Sequence, residues 1–292
     1  MPNFREFNTR LNAMRGMRRV TSTMKMVAAS HLHRAQNEMR LPEPFAVELR
    51  KLAVVAMNIP ELREHAMFQP IRTKNPRALL LVMCSDRGLC GSFNSSVVHE
   101  VRRWIKEERA KRPNLQIEAI YAGQKGYSAL HREVPSCMNV FGISAHPKIH
   151  ETTSISNYAL DRFLDGTYSD VWIAGSRFVS TLKHDAEMIG ILPYFRPNTP
   201  LPTFRASEVP LIEPLDVRML ETIMRLLIHQ RVYVAQLNRA ASEQASRVMS
   251  MENATSNLHC MEKDLLLKRN RARQAAITNE LTEIVSGAET LN

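Results

Sequence analysis

The sequence predicts an α/β protein in which the two chain ends form a long antiparallel coiled coil, with a small parallel-sheet domain between them. Three observations lead to this fold class. Residues 3–39 contain no proline and repeat apolar side chains every three or four positions. Residues 215–292 contain no proline and a single glycine, Gly287. Between these segments, short apolar runs alternate with helix-like stretches, as in parallel sheets covered by helices.

The N-terminal segment, residues 1–58, is predicted to be an amphipathic helix. Pro42 and Pro44 are expected to interrupt or kink this helix, which resumes over residues 46–58. Met17, Val20 and Met24 widen the helical stripe on one side, together with Val27. The stripe has helical period and consists of Phe4, Phe7, Leu11, Met14, Arg18, Thr21, Lys25, Ala28, Leu32, Ala35 and Met39.

The C-terminal segment, residues 214–292, is predicted to be a second and longer helix. A continuous helix over its last 78 residues would measure about 117 Å, which no compact domain of this size can bury. Its narrow stripe favours one partner helix, as in a coiled coil, and the N-terminal helix in antiparallel orientation is the obvious partner. The longer helix must therefore stand alone in part or contact another protein. The stripe runs through Leu220, Met224, Leu227, Val234, Leu237, Ala241, Ala245, Val248, Met251, Leu258, Leu265 and Ala272.

The middle segment, residues 78–210, is predicted to be a small Rossmann-like domain. Strands are expected at 78–84, 116–121 and 170–175, and helices at 95–112, 124–132 and 154–164. This alternating order predicts a parallel sheet. An extended return path to the long helix is indicated by Pro193, Pro197, Pro200, Pro202, Pro210 and Pro214.

The stretch CSDRGLCGSFN, residues 84–94, lies where α/β proteins often hold a phosphate. It has two glycines three residues apart but lacks the full glycine pattern of a dinucleotide site and the lysine of a P-loop. Backbone N–H groups and Arg87 could still attract an anion. We nevertheless expect a structural turn, capped by Asn94 or Ser95, that binds no nucleotide.

Other reactive residues do not form a recognisable site. Cys84 and Cys90 lack the Cys-x-x-Cys spacing of a redox pair, and a structural role is favoured. His31 and His33 are two apart on a predicted helix, so they point away from a common metal. Carboxylates are scattered. The sequence therefore predicts no catalytic residue, no metal site and no cofactor.

Charge points to an acidic partner. The chain has a formal net charge of +10, and the excess lies in residues 1–58 and in a basic cluster at residues 263–273. Nucleic acid, an acidic protein surface, or simply a solvated helical face are all compatible with this pattern.

No apolar run approaches the roughly 18–20 residues that span a bilayer. The four scattered cysteines favour free thiols in a reducing compartment. The basic N-terminus resembles a transit peptide, but its helical pattern continues, so we interpret it as mature structure.

Three stretches resemble, in order, the signatures of the gamma subunit of the rotary F-type ATP synthase. They are TSTMKMVAAS at 21–30, SDRGLCGSFN at 85–94 and RARQAAITNELTEIVSGA at 271–288, with a looser match at 241–251. The resemblance covers nearly the whole chain and implies the same architecture of terminal coiled coil and central α/β domain. It also implies that the chain is no enzyme by itself.

The resemblance implies a central rotor stalk that couples proton-driven rotation of a membrane ring to ATP synthesis. Implied partners are the alpha and beta subunits, small central-stalk subunits and the c-ring, with no nucleic acid and no directly bound nucleotide. The implied place is peripheral to the mitochondrial inner membrane or the bacterial plasma membrane. Two rival functions, a basic coiled-coil nucleic-acid binder and a Rossmann-type enzyme using the 84–94 loop, leave the long C-terminal helix unexplained.

The resemblance also assigns residues by position. Met24 and Lys25 would meet a lever loop of the beta subunit, and Glu213 would contact the membrane ring. The C-terminal apolar residues would form a bearing: Ala275, Ala276, Ile277, Leu281, Ile284 and Val285. The coupling group would consist of Arg247, Gln274, Thr278 and Glu280, with Arg271 and Arg273 facing acidic loops. The chain lacks the inserted cysteine-bearing segment of the light-regulated chloroplast form, so thiol regulation is not expected.

Overall fold

A computed structural model of the chain describes residues 4–57, 59, 65, 67–69, 75–194 and 216–289. The chain divides into two compact units. The first, the coil unit, combines Met1–Ala28 with Val248–Asn292, and the second, the sheet unit, is Ala29–Arg247. Helix α1 (Phe4–Arg40) and the last helix, α6 (Val217–Glu289), each contribute residues to both units.

The coil unit is an antiparallel pair of helices, as the sequence predicts. Arg15 of α1 bonds to Glu262 of α6, and Lys25 of α1 bonds to Glu252. As the α1 residue number rises from 15 to 25, the number of the α6 partner therefore falls from 262 to 252. This opposite progression defines the antiparallel orientation.

The predicted α1 stripe is the face that α1 buries. In the coil unit, Phe7, Leu11 and Ala28 are buried, and the stripe positions between Leu11 and Ala28 are half-buried. In the sheet unit, the next turns of α1 pack on small residues of α6, with Leu32 and Ala35 against Ala241 and Ala245. The four residues expected to widen the stripe are instead exposed: Met17, Val20, Met24 and Val27.

A short second helix, α2 (Pro42–Met57), follows α1. The sequence predicts its start at residue 46, but the helix begins at Pro42 and includes Pro44 in its first turn. The reason is that the first turn of a helix does not need its backbone N–H groups, so proline is compatible there. The interruption is thus a single bend at Leu41.

The sheet unit holds one five-stranded sheet of order β3-β2-β1-β4-β5. Strands β1, β2, β3 and β4 run parallel, whereas β5 runs antiparallel to β4. Its elements are β1 (Arg77–Met83), α3 (Phe93–Lys111), β2 (Gln116–Ala122), α4 (Gln124–Leu130), β3 (Ser136–Val140), α5 (Ile149–Leu164), β4 (Asp170–Phe178) and β5 (His184–Leu192).

The sheet corrects two expectations. It is mixed and not purely parallel, and it contains two edge strands that the sequence did not predict, β3 and β5. β3 has only five residues, none fully buried, so its apolar signal is weak. β5 turns back through a tight hairpin in which the Val179 N–H donates to the Lys183 carbonyl at 3.1 Å.

Both faces of the sheet are covered, which explains the uninterrupted apolar run in β1. Leu79, Leu81 and Met83 belong to the core shared with α5 and α6. Leu80 and Val82 point the other way, into the core beneath α3. Strands buried on both faces read as continuous apolar runs for this reason.

Some of the predicted features lie outside the described residues or are not tested by them. The return path through the prolines falls largely on residues 195–215, and Glu213 with it, outside the described residues. The domain boundaries 1–58, 78–210 and 214–292 stay predictions. None of the described helices is both long and apolar enough to cross a membrane.

Candidate partner-binding surfaces

The loop that follows β1 is closed by its own side chains. The Ser85 N–H donates to Asn94 Oδ1 at 3.0 Å, and Asn94 Nδ2 donates to Ser85 Oγ at 2.8 Å. Asn94 therefore holds the end of the strand and does not cap α3. The N-cap residue of α3 is Ser92, which makes no side-chain capping bond. Of the two residues predicted to cap the turn, Asn94 is the one that closes it, through its bonds to Ser85.

The same loop is fastened to α6 within the sheet unit. Ser246 Oγ donates to the Cys90 carbonyl at 2.5 Å, and Arg247 Nη2 donates to the Gly88 carbonyl at 3.3 Å. Between these anchors, Leu89 adopts a positive φ of 62° and leaves its side chain exposed. Two loop carbonyls are thus committed to α6, an arrangement suited to bracing. That the loop binds no nucleotide stays a prediction.

Arg247 is part of an internal charge network of the sheet unit. Glu243 accepts from Arg247 with one carboxylate oxygen and from Arg239 with the other, both at 2.7 Å. Arg239 and Glu243 are buried, so each charge depends on the other for compensation. Sequence reasoning missed Arg239 and Glu243. The signal was present, because positions 239, 243 and 247 are four apart and share one helical face.

Met24 and Lys25 lie in the last two turns of the α1 part of the coil unit, which ends at Ala28. Met24 is exposed, while Lys25 pairs with Glu252 of α6. One turn away, Thr255 Oγ1 lies 2.8 Å from Thr21 Oγ1. Lys25 is therefore not a free cation. Its partner Glu252 could have been found from the sequence only by extending the antiparallel register of α1 and α6.

Further along the coil unit, two arginines converge on one carboxylate. Arg15 Nε lies 2.7 Å and Arg18 Nη1 3.4 Å from the carboxylate of Glu262. The hydrogen bond from Arg15, helped by the charges of Arg18 and Arg15, holds the pKa of Glu262 below its usual range. The middle of this coil is thus held by exchangeable polar contacts, whereas Phe7 and Leu11 bury apolar surface near one end.

The C-terminal part of α6 has a different character. Every described side chain from residue 273 to 282 and from 284 to 286 is exposed. Five predicted site residues lie on or beside this stretch: Arg271, Arg273, Gln274, Thr278 and Glu280. Thr278 Oγ1 donates to the Gln274 carbonyl at 2.9 Å, a bond within the helix that leaves the outer surface available.

Large apolar side chains share this exposed stretch. Ile277 is 49%, Leu281 57%, Ile284 68% and Val285 56% exposed. Their spacing places them along one side of the helix. Exposed apolar side chains on one side of a helix are a candidate interaction surface. We refer to residues 271–286 as the α6 tip.

Five basic residues lie in the turns just before this tip and at its start. Lys263, Lys268, Arg271 and Arg273 are exposed, and Arg269 is half-buried. Arg269 Nη2 donates to Asn270 Oδ1 at 3.1 Å. Among the described residues, none of these five cations forms an ion pair. Their charge is therefore available to an acidic partner.

The predicted site residues do not form one site. Within the coil unit, Glu252 and Arg271 are 19 positions apart on α6, or about 28 Å along the helix. The pair Met24 and Lys25 and the α6 tip are therefore separate surfaces, and Arg247 belongs to the sheet unit. In the part of the chain that the structure describes, no group of three or more His, Cys, Asp or Glu side chains is arranged to hold a metal ion.

Comparison with known proteins gives matches to one family along the whole chain. A family model described as ATP synthase matches residues 3–291. The ATP synthase gamma chain of Anaeromyxobacter dehalogenans is 32% identical over 297 residues, covering 100% of both chains. That of Desulfotalea psychrophila is 32% identical over 295 residues, also covering 100% of both chains.

Solved structures share the fold. The central stalk and c-ring structure of the Tetrahymena thermophila mitochondrial ATP synthase contains a chain that is 25% identical, with a TM-score of 0.57, and the match covers 80% of this chain and 99% of that one. A chain of the Euglena gracilis mitochondrial ATP synthase rotor is 15% identical with a TM-score of 0.66, covering 94% of this chain and 98% of that one.

Proposed function

The chain belongs to the ATP synthase gamma-chain family, and from that membership we propose that its α6 tip and coil unit are the surfaces through which it acts on the catalytic subunits. The chain is the central rotor stalk of the complex. It is a non-catalytic subunit, and it works by transmitting rotation to the alpha and beta subunits that make ATP.

One observation carries the proposal, the exposure of the α6 tip. Four large apolar side chains on a solvent-facing helix lose favourable burial free energy, about 25 cal/mol for each Å² that stays in water. A surrounding collar of alpha and beta subunits would cover them. Because they contact a moving partner, smooth apolar packing without deep pockets suits a bearing. Ala275 and Ala276 add small side chains to the same stretch.

Polar residues of the α6 tip would supply the coupling contacts. Gln274 and Thr278 lie one turn apart, and both are exposed, as is Glu280. Arg271 and Arg273 can pair with acidic loops of the beta subunit. Exposed ion pairs contribute about 0–1 kcal/mol each, so such contacts can form and break at each step of rotation.

The residues assigned outside the α6 tip would act in different ways. Met24 offers an exposed apolar contact to the lever loop of beta, while an acid of that loop would compete with Glu252 for Lys25. Arg247 would act through the charge network that braces the 84–94 loop. Glu213 as a contact to the membrane ring stays a prediction.

The complex to which the chain belongs is membrane-associated, and the chain would join it peripherally through the c-ring and small central-stalk subunits. We place it on the matrix side of a mitochondrial inner membrane or the cytoplasmic side of a bacterial plasma membrane. The nucleic-acid-binding alternative is not supported, since the family match spans residues 3–291.

The test is purification of the tagged full chain from gently solubilised, nuclease-treated membranes, with mass spectrometry of the proteins that accompany it. Alpha and beta subunits should be recovered in excess over this chain. A variant with Ile277, Leu281 and Ile284 changed to serine should recover less of both, while keeping its helicity. Recovery of the chain without alpha and beta subunits would overturn the proposal.

A further inference from the structure

The loop between β3 and α5, residues 141–148, is held in place by three other parts of the sheet unit. Asp86 Oδ2 accepts from the Gly142 N–H at 2.8 Å. Arg239 Nη2 of α6 donates to the Ser144 carbonyl at 3.0 Å. The third contact joins two histidines, and it alone can change with pH in the neutral range.

These histidines, His31 of α1 and His146 of the loop, share one hydrogen bond. His31 Nδ1 and His146 Nε2 are 2.7 Å apart, and the ring centroids are 4.9 Å apart. On its far side, His146 Nδ1 lies 3.6 Å from Glu38 Oε2. The three groups therefore form a row with His146 in the middle, and they do not converge on one point as metal ligands would.

The chemistry of this row depends on its proton count. A hydrogen bond between two imidazole nitrogens needs one donor and one acceptor. With no extra proton, or with one, the bond persists. With two extra protons, both facing nitrogens are donors, so the bond is lost and two positive rings face each other at contact distance.

We propose that His31 and His146 form an acid-sensitive latch, which fixes the 141–148 loop to α1 when neutral or singly protonated and releases it when both rings are protonated. Release removes the attachment to α1, so that the loop is held only by its contacts to Asp86 and Arg239 and opens more often. A regulatory function of this kind lies outside the rotor role of the chain.

The charged surroundings set the direction of the effect. From α1, Arg34 opposes protonation of His146 and Glu38 favours it. From α6 come Tyr233 and the ion pair of Arg239 and Glu243, whose charges compensate each other. The loop itself carries Lys148. Burial, the largest cause, lowers the pKa of His146, and the charges of Arg34 and His31 act in the same direction while Glu38 opposes them.

The direction in which pH shifts the opening of the loop follows from proton uptake. The released loop binds the second proton more readily than the latched loop, because its imidazole is solvated. Release is therefore favoured as the pH falls through about 6.5, the ordinary pKa of a solvated histidine. For one extra proton, the opening equilibrium can rise by up to about tenfold per pH unit below that value.

Hydrogen–deuterium exchange of the full chain, read by mass spectrometry on peptides covering residues 141–148, tests the latch. After correction for intrinsic exchange, protection of the loop should be constant above about pH 7 and should fall below about pH 6.5. Peptides from β1 should show no such step. Unchanged loop protection between these pH values would overturn the proposal.

Two variants at one position give opposite expectations. His31→Gln keeps an amide oxygen that can accept from a protonated His146, so the loop should stay protected in acid. His31→Ala removes the contact, so protection should be lower at every pH and the acid step should disappear. His150→Gln, at an exposed histidine of α5, should keep the wild-type step. The same step in all three variants would contradict the latch.

Discussion

Arg239 and Glu243 form a buried ion pair on α6, with 2.7 Å between Nη1 and Oε2. The second oxygen of Glu243 holds Arg247, and each arginine reaches a different loop. Arg239 binds the Ser144 carbonyl and Arg247 binds the Gly88 carbonyl. One carboxylate thus supports the attachment of two separate loops to the same helix.

Removing this carboxylate should be costly. In Glu243→Ala, Arg239 is left buried without compensation, and we expect the free energy of unfolding to fall by about 3–5 kcal/mol. The measurement is urea unfolding followed by tryptophan fluorescence, because both tryptophans, Trp104 and Trp172, lie in the sheet unit.

Two comparisons make that result specific. The double variant Arg239→Met with Glu243→Leu removes both charges, so it should lose less stability than Glu243→Ala. The exposed acid Glu252, changed to Gln, should cost only about 0–1 kcal/mol. Equal losses for Glu243→Ala and the double variant would show that the unpaired charge is not the cause.

Gly123 is predicted to tolerate no side chain. It has a φ of 122°, and a Cβ there would lie 2.2 Å from the carbonyl oxygen of Cys84. Gly123→Ala should lower the free energy of unfolding by about 3 kcal/mol or more. Gly142 is the matched control: its φ is 76° and no atom crowds a Cβ, so Gly142→Ala should cost only about 1–2 kcal/mol. Similar losses in the two variants would contradict the steric explanation.

The cysteines should differ sharply in reactivity. Burial raises the pKa of Cys84 to about 12, against an opposing effect of Arg239, whereas Cys260 is exposed. The thiolate is the reactive form, so iodoacetamide at pH 8 should label Cys260 first and Cys84 only after unfolding. Peptide mapping of the labelled full chain measures both rates. Rapid labelling of Cys84 in the folded chain would mean that it is accessible.

The α6 tip should be dispensable for folding but not for assembly. Ile284→Ser changes a side chain that contacts solvent, so the free energy of unfolding should change by no more than about 0.5 kcal/mol. Recovery of alpha and beta subunits with the tagged chain should nevertheless fall. Thr282→Ser, a conservative change at a neighbouring exposed position, should change neither quantity. A large loss of stability in Ile284→Ser would show that the residue is packed within the chain.

The coil unit should weaken in acid through Glu262. The hydrogen bond from Arg15 lowers the pKa of this carboxylate relative to the unfolded chain. Its stabilising effect is therefore complete above the unfolded value of about 4.3 and is lost as the pH falls through the lower folded value. Helicity measured by circular dichroism should decrease over this window, and Glu262→Gln should show a smaller decrease. An identical profile in that variant would exclude Glu262 as the source.

The spacing of apolar residues along the sequence predicted the helices well, because that spacing depends only on which face of a helix is buried. The α1 stripe was predicted with its polar members Arg18, Thr21 and Lys25 included, and these residues face α6 in the structure. Their partners could not be predicted, since a stripe defines a face but not a register. Only the observed antiparallel pairing identifies Glu252 and Glu262.

The sheet was harder to predict at its edges. The central strand β1 is buried on both faces and stood out as an apolar run, whereas β5 is half-buried over most of its length. Its first residues, His184 and Asp185, are polar because an edge strand can leave them near solvent. The antiparallel direction depends on the 179–183 hairpin, whose sequence carries no Asn-Gly or Asp-Gly turn signal.

The exposed α6 tip also has a consequence for the supply of subunits in the cell. A chain synthesised in excess of its partners presents an uncovered helix end with Ile277, Leu281 and Ile284 in water. Exposed apolar surface of this kind favours aggregation. Orphan copies should therefore be short-lived, so that the abundance of this chain follows the abundance of the subunits that shield it.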